Sequence, residues 1–378
     1  MINKKLKVGN VPPLRFPGFE GEWKTKKLGE VSSVSSGGTP SRANPLYWNG
    51  DIPWISTTLI DFNFIEKSEE YITQEGLENS SAKLFPIGTL LMAMYGQGKT
   101  RGKVAILNIE ATTNQACGAI ITNKEVVNPF FAFQNLVKRY DEIRDLSNQG
   151  SQENLSGGII KRIEITFPKL LEQIKIASFL SLIDERIQTQ NKIIERLETL
   201  IKGLCQKLIL NQVPNKKINN CVSCYSSSLT ESDIIDKNGI YPVYGATGVI
   251  AFTENSQINE DAILIIKDGS GVGKVQYASD KFSVIGTLNY LTVKPDVNLK
   301  YIFFCLKFFN FEKYKVGSGI PHIYFKDYGE AFIYCPSVEE QIKIERLLSS
   351  IDEKIKTEKT LLQKYEIKKS HLLQNLFI

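Results

Sequence analysis

Three short stretches of this chain carry residue types that could do chemistry. Ala93–Thr100, AMYGQGKT, fits a relaxed phosphate-loop pattern, with a small residue separated by four others from Gly-Lys-Thr. In such a loop the backbone amides and the lysine hold phosphates, and the loop opens a helix. The run that follows here, RGKVAILNI, is rich in β-branched residues and reads as a strand. A hairpin tip carrying Lys99, Arg101 and Lys103 therefore fits better than a nucleotide site. Cys221-x-x-Cys224 is the second stretch. A zinc site needs a second ligand pair, and neither His322 nor His371 stands at a matching spacing. The six cysteines form no close-spaced framework, which suits a reducing cytosol. His322, in the glycine turn GSGIPH, is the third; no nucleophile–histidine–carboxylate set can be assembled around it.

Asn44-Pro45-Leu46-Tyr47 is similar to the Asn-Pro-Pro-Tyr of adenine methyltransferases, which holds a target amine while the aromatic stacks on an extruded base. The second proline is missing, and no glycine-rich methyl-donor loop precedes it, so a turn with core aromatics is expected. What remains is a set of polar, glycine-rich loops. Tyr95, Gln97, Lys99, Thr100, Arg101 and Lys103 lie on one, and Ser151, Gln152 and Asn154 on another. Later in the chain stand Tyr244 and Thr247, then Lys267, Ser270 and Lys274, then Ser318 and His322. Lysine, arginine, asparagine and glutamine on loops are the side chains that contact base edges and phosphates. The net charge of +5 is carried mainly by the first 24 residues and by Lys169–Lys217. The globular stretches are near neutral, so no domain-wide basic patch is expected, and any nucleic-acid contact must be local or shared with a partner.

The elements that position these loops come in two copies. From Ile176 an apolar seam advances by alternating threes and fours through Leu180, Ile183, Ile187, Gln190, Ile194, Leu197, Ile201, Leu204 and Leu208. This predicts a helix of roughly 40 residues from Pro168, about 60 Å long. The seam recurs at an offset of 168 as Ile344, Leu348, Ile351, Ile355, Glu358, Leu362, Tyr365, Lys369, Leu372 and Leu376, with EQIKI and IDE repeated beside it. Each seam needs an apolar partner, and the two helices supply one another. Both carry a polar residue at the same place, Gln190 and Glu358, which are expected to bond and fix register.

Ahead of each helix the strand signals repeat as well. Gly88–Tyr95, Lys103–Ile109 and Ala116–Thr122 are answered by Asp261–Lys267, Lys274–Ala278 and Ile285–Val293. Asn128-Pro129 and Asn298 each open an apolar helix. The reading is α+β, with a globular α/β head followed by a long helix, twice over. The boundaries are 1–167 for an N-terminal arm and first head, 168–210 for the first long helix, 211–335 for the second head and 336–378 for the second long helix. Lys207–Asn220 is read as a linker and NPLYWNGDIPWIS as a loop. No signal peptide or membrane span is expected, which places the chain in the cytoplasm.

RFPGFEGEW followed by KLGEV and SGGTPS, then GDIPWI, FPIGTLLMAMYG, the paired EQIKI…IDE helices and YPVYGATG together resemble the specificity subunit of bacterial type I restriction–modification enzymes. The resemblance covers nearly the whole chain. It implies two tandem target-recognition domains whose long helices form an antiparallel coiled-coil pair. It also implies no catalysis and no cofactor of its own, and a bipartite, asymmetric duplex DNA target with one half-site per head. The partners it implies are two methyltransferase subunits and, in the full complex, restriction subunits. Two departures stand out: the second head lacks its own RFPxFxxxW segment, and Lys369 interrupts the second seam.

Overall fold

All twenty seam positions are buried or half-buried in the computed structural model, which describes residues 9–96, 99–146, 154–234, 239–317 and 319–378. The first long helix spans Leu170–Cys205 and continues through a π turn, Gln206–Leu210; the second spans Val338–Leu376. Internal contacts divide the chain into two units, Met1–Thr189 with Leu362–Ile378, and Gln190–Leu361. Each unit thus holds one head, half of the first helix and part of the second.

In the first unit, Asp184 meets Lys369 at 2.6 Å, while Ile176 and Leu180 share a core with Leu372, Leu373 and Leu376. In the second, Gln190 meets Glu358, while Ile201, Cys205 and Ile209 share a core with Ile344, Leu348 and Ile355. Numbers rise along one helix as they fall along the other, so the pair is antiparallel in both. Lys369 does not disturb its end of the seam. Its ammonium reaches the buried carboxylate of Asp184, which also accepts a bond from the Gln134 amide at 2.6 Å.

The first head carries a five-stranded sheet in the order Ser32–Ser36, Cys117–Thr122, Leu90–Ala93, Val104–Leu107, Phe64–Ile65. The second carries four strands in the matching order Val222–Ser226, Leu288–Val293, Ala262–Ile266, Val275–Ala278. One helix packs on each sheet, Pro129–Lys138 and Leu299–Lys307, and each is capped by its asparagine. The Asn128 side chain accepts from the Phe131 amide at 3.1 Å and that of Asn298 from the Tyr301 amide at 2.8 Å. The repeated EQIKI motif has its reason here. Gln173 accepts from the Asn128 amide and Gln341 from the Asn298 amide, both at 2.9 Å. Each glutamine also donates to the carbonyl of the proline before its helix, Pro168 and Pro336. One buried side chain thus joins head to helix in each copy.

Several expectations are corrected. NPLYWNGDIPWIS contains a strand, Trp48–Ile55, paired with Glu70–Ile72 and Thr112–Thr113. A register shift between Trp48 and Ile52, with Asn49 at φ 62°, erases the two-residue alternation that would have marked it. The supposed linker Lys207–Asn220 holds a strand, Lys216–Lys217, and most of a short helix, Ile218–Cys221. These repeat Lys24–Lys27 and Leu28–Val31 of the first head, since both short strands pair with the strand that leads into a long helix. The helix after Asn128 stops at Lys138 and resumes as Tyr140–Asp145; Arg139 between them leaves the helical region, and its guanidinium donates to the Glu142 carboxylate and the Glu164 carbonyl. The helix after Asn298 likewise ends at Lys307, before a separate 3-10 turn, Phe311–Tyr314.

The arm docks within its own unit. Arg15 forms two bonds to the Glu172 carboxylate, at 2.8 and 2.7 Å, Phe16 packs edge-on to Phe179 and Trp23 lies against Phe131. The second copy lacks this arm, and Glu340, the counterpart of Glu172, accepts instead from the Tyr334 hydroxyl at 3.0 Å.

Candidate nucleic-acid interface

Two loops meet in each head, and the backbone builds them alike. The hairpin between Leu90–Ala93 and Val104–Leu107 closes with the Gly102 amide on the Ala93 carbonyl at 2.9 Å. The hairpin between Ala262–Ile266 and Val275–Ala278 closes with the Gly273 amide on the Ile266 carbonyl, also at 2.9 Å. Gly102 and Gly273 sit at φ +83° and +88°, a conformation side chains resist, which accounts for the repeated Gly-Lys-Val. Since a strand and not a helix follows Gly-Lys-Thr, no helix N-terminus is aimed at a phosphate. The second loop joins the first through equivalent bonds. The Leu155 amide meets the Met94 carbonyl at 2.9 Å, and the Ile323 amide meets the Lys267 carbonyl at 3.0 Å.

In the first head, Tyr95 and Lys99 are exposed, and the Tyr140 hydroxyl steadies the turn by donating to the Lys99 carbonyl at 2.6 Å. Thr100 and Asn154 are half-buried. Lys103 is drawn away, 2.5 Å from the Asp61 carboxylate and over the Phe62 ring. Arg101, expected at the tip, is only 8 % exposed, which leaves little of it to face a duplex. Gln97, Ser151 and Gln152 lie outside the described residues, as does Ser318 in the second head.

In the second head, Ser270 and Lys274 are exposed. His322 Nδ1 lies 2.7 Å from the Asp268 carboxylate, and Lys267 stands 3.9 Å from the same group. Thr247 is exposed on the turn after Tyr241–Gly245, whereas Tyr244 packs edge-on against Phe282 and is half-buried, its hydroxyl pushed above the ordinary tyrosine range by burial. The structure adds three residues that sequence reasoning passed over. Tyr324 stacks on His322, and Lys326 sits over its ring. Arg42 lies 3.6 Å over Trp48, bonded to Glu70. The pair after His322 could have been found from the aromatic and basic run HIYFK. Arg42 depends on a fold that brings Glu70 to it.

The other motifs settle into structural roles. Asn44 accepts from the Leu46 amide at 3.1 Å and caps the 3-10 turn Pro45–Tyr47. Cys221 and Cys224 face different neighbours, the Cys335 thiol and the Tyr328 hydroxyl respectively, and burial pushes the Cys224 thiol up to about 11. Among the described residues no cluster of three or more histidine, cysteine or carboxylate groups could hold a metal ion.

The profile of the type I restriction modification DNA specificity domain matches this chain twice, over residues 20–199 and 223–366. The chain belongs to that family, the type I restriction–modification specificity subunits. It is 31% identical to the MjaIX specificity subunit of Methanocaldococcus jannaschii over 217 residues, 56% of this chain and 48% of that one. It is also 31% identical to the EcoR124I/EcoR124II specificity subunit of Escherichia coli, over 45% of this chain and 43% of that one. These matches span about half the length of either relative. The EcoprrI specificity subunit of Escherichia coli matches at 22% identity over 89% of this chain and 88% of its own. The fold is that of the type I S subunit from M. genitalium, with a TM-score of 0.73 at 18% identity, covering 97% of this chain and 99% of that one. No helix among the described residues is long and apolar enough to cross a membrane.

Proposed function

We propose that this specificity subunit reads duplex DNA through its two loop clusters, one half-site per head, and catalyses nothing itself. It then acts in the cytoplasm as the recognition component of a complex with two methyltransferase subunits and, for cleavage, restriction subunits. The observation that carries the reading is the twofold construction of the loop cluster. The backbone bonds are the same in both heads, yet the side chains presented differ: Tyr95, Lys99 and Asn154 in one, Ser270, Lys274 and His322 in the other. A common frame with unlike contact residues suits a bipartite, asymmetric target, because phosphate contacts position a reader while side-chain identity at base edges specifies. The near-neutral heads suit a subunit whose partners supply much of the phosphate neutralisation. Arg101 and Lys103 leave the set of contact candidates, and Tyr324, Lys326 and Arg42 join it.

Lys99→Ala and Lys274→Ala, each in the assembled complex, test this in one salt titration. Loss of a phosphate contact lowers affinity for every sequence and flattens the salt slope by about one unit; loss of a base contact relaxes one half-site by roughly 1–3 kcal/mol. Parent-like binding by both variants, or methylation by the chain without added subunits, overturns the reading.

A further inference from the structure

The loop cluster of the second head contains one group that suits a DNA-facing surface poorly. Asp268 stands there among Lys267, Lys274 and Lys326, where a negative charge repels phosphates. Its place is fixed by main-chain bonds. The Gly269 amide donates to the Pro321 carbonyl at 3.0 Å, and Val316 and His322 exchange both of their amide bonds, at 2.9 and 2.8 Å. The frame sets Asp268 opposite His322, and His322 Nδ1 lies 2.7 Å from the carboxylate. Lys267 approaches the other oxygen of that carboxylate at 3.9 Å.

A carboxylate offers only lone pairs, so the shared hydrogen belongs to Nδ1. Nε2 has no hydrogen-bond partner among the described residues, and in the neutral ring it keeps a lone pair. The side chain is 37 % exposed, enough to meet a base edge. Phosphate oxygens only accept, so a neutral ring held this way has nothing to give them, whereas the three lysines do. In the major groove adenine N6 and cytosine N4 are donors, while guanine O6 and N7 and thymine O4 are acceptors. A free acceptor at Nε2 therefore matches adenine or cytosine and opposes guanine and thymine. The first head has no such pair. By the same backbone equivalence, Tyr95 and Asn154 take the places of Asp268 and His322. An asparagine amide carries donor and acceptor together, so no neighbour has to choose between them.

We propose that Asp268 is a positioning residue that holds His322 in its Nδ1–H tautomer, so that Nε2 accepts from the exocyclic amino group of an adenine or cytosine in the half-site read by the second head. This rests on the proposed reading of duplex DNA and adds which base chemistry one residue selects, and what sets that choice.

Two measurements test the inference. The chain has only two histidines, His322 and His371, so nitrogen-15 histidine labelling gives two imidazole rings, and His322→Gln assigns them. At about pH 8.5, two units above the ordinary imidazole value of about 6.5, His322 in the full chain is expected to show a protonated Nδ1 and a bare Nε2. Asp268→Asn, with parent-like thermal melting, is expected to populate the Nε2–H tautomer, because its amide can donate to Nδ1. The second measurement is selection of sites from a random DNA library by the assembled complex. His322→Ala is expected to relax an adenine or cytosine preference at one position by about tenfold and leave the other half-site unchanged. Asp268→Asn is expected to move that same position toward guanine or thymine. A protonated Nε2 in the parent overturns the proposal whatever the DNA result. Parent-like selection by both variants also overturns it, while leaving DNA reading by the second head intact. A parent complex with no base preference in that half-site overturns the reading of DNA by this head, and this proposal with it.

Discussion

Arg15 and Glu172 show how much one side chain can anchor. The Glu172 carboxylate is 2 % exposed and takes both of its ionic bonds from Arg15, which also donates to the Glu20 and Gly21 carbonyls. Arg15→Ala leaves a buried charge without its partner, and the unfolding free energy of the first unit is expected to fall by roughly 3 kcal/mol. Adding Glu172→Gln should restore part of that loss in chemical denaturation, since no charge is then stranded. Asp352 provides a pH handle. Burial alone would raise its carboxyl, but Lys307 and Lys356 outweigh burial and hold it below the ordinary range. A depressed carboxyl stabilises the fold above its unfolded value of about 3.9 and loses that contribution as pH falls through the folded value. Asp352→Asn is therefore expected to lower stability at neutral pH and to flatten its decline below about pH 4, as followed by thermal melting across an acid series.

At the level of elements, the long helices were legible because a heptad seam is a local pattern, and every predicted position is covered. The strand Trp48–Ile55 was not, since the irregularity after Trp48 breaks its alternation. Side-chain fate was hidden for a different reason. Lys103 belongs to a tip that the sequence marks as basic, but a carboxylate 42 residues away claims it. Gln190 and Glu358 belong to this scale too. The Gln190 amide donates to the Glu358 carboxylate, which Lys354 and that amide together hold below the ordinary glutamate range. Replacing both by leucine should raise the melting temperature, because two apolar side chains then fill the seam, while widening the distance distribution between spin labels on the two helices. An unchanged distribution would mean that register is set elsewhere.

Over the whole molecule, the two heads are joined in sequence by the first long helix, and each head is tied to its helix by an equivalent glutamine, Gln173 or Gln341. Inserting one heptad after Gln190 and another after Glu358 preserves the seam and adds about 10 Å to each helix. The gap between half-sites selected from a random DNA library is expected to grow by about three base pairs, with the half-sites unchanged. An unchanged gap would separate helix length from target spacing. Two copies were visible in the sequence because strand runs, asparagine caps and seams recur in order. The short strand and helix at Lys216–Cys221 escaped notice because they carry KKINNC where the first copy has KKLGEV.

The core of the first head is not made from nearby sequence alone. Leu372, Leu373, Leu376 and Phe377 lie within it; the Phe377 ring packs tilted against Phe131, centroids 5.0 Å apart, its carbonyl takes the Lys138 ammonium at 3.1 Å, and the Asn375 carbonyl takes the Leu14 amide at 2.9 Å. A ribosome adding about 5–20 residues each second needs on the order of 20–70 seconds to travel from Leu14 to Asn375. For that interval the earliest head to emerge waits with part of its apolar interior open, while the second head has all of its own core residues in hand sooner. The first head to be translated is thus the last to be completed, and nascent chains halted before Leu372 carry a core that still lacks part of its apolar filling.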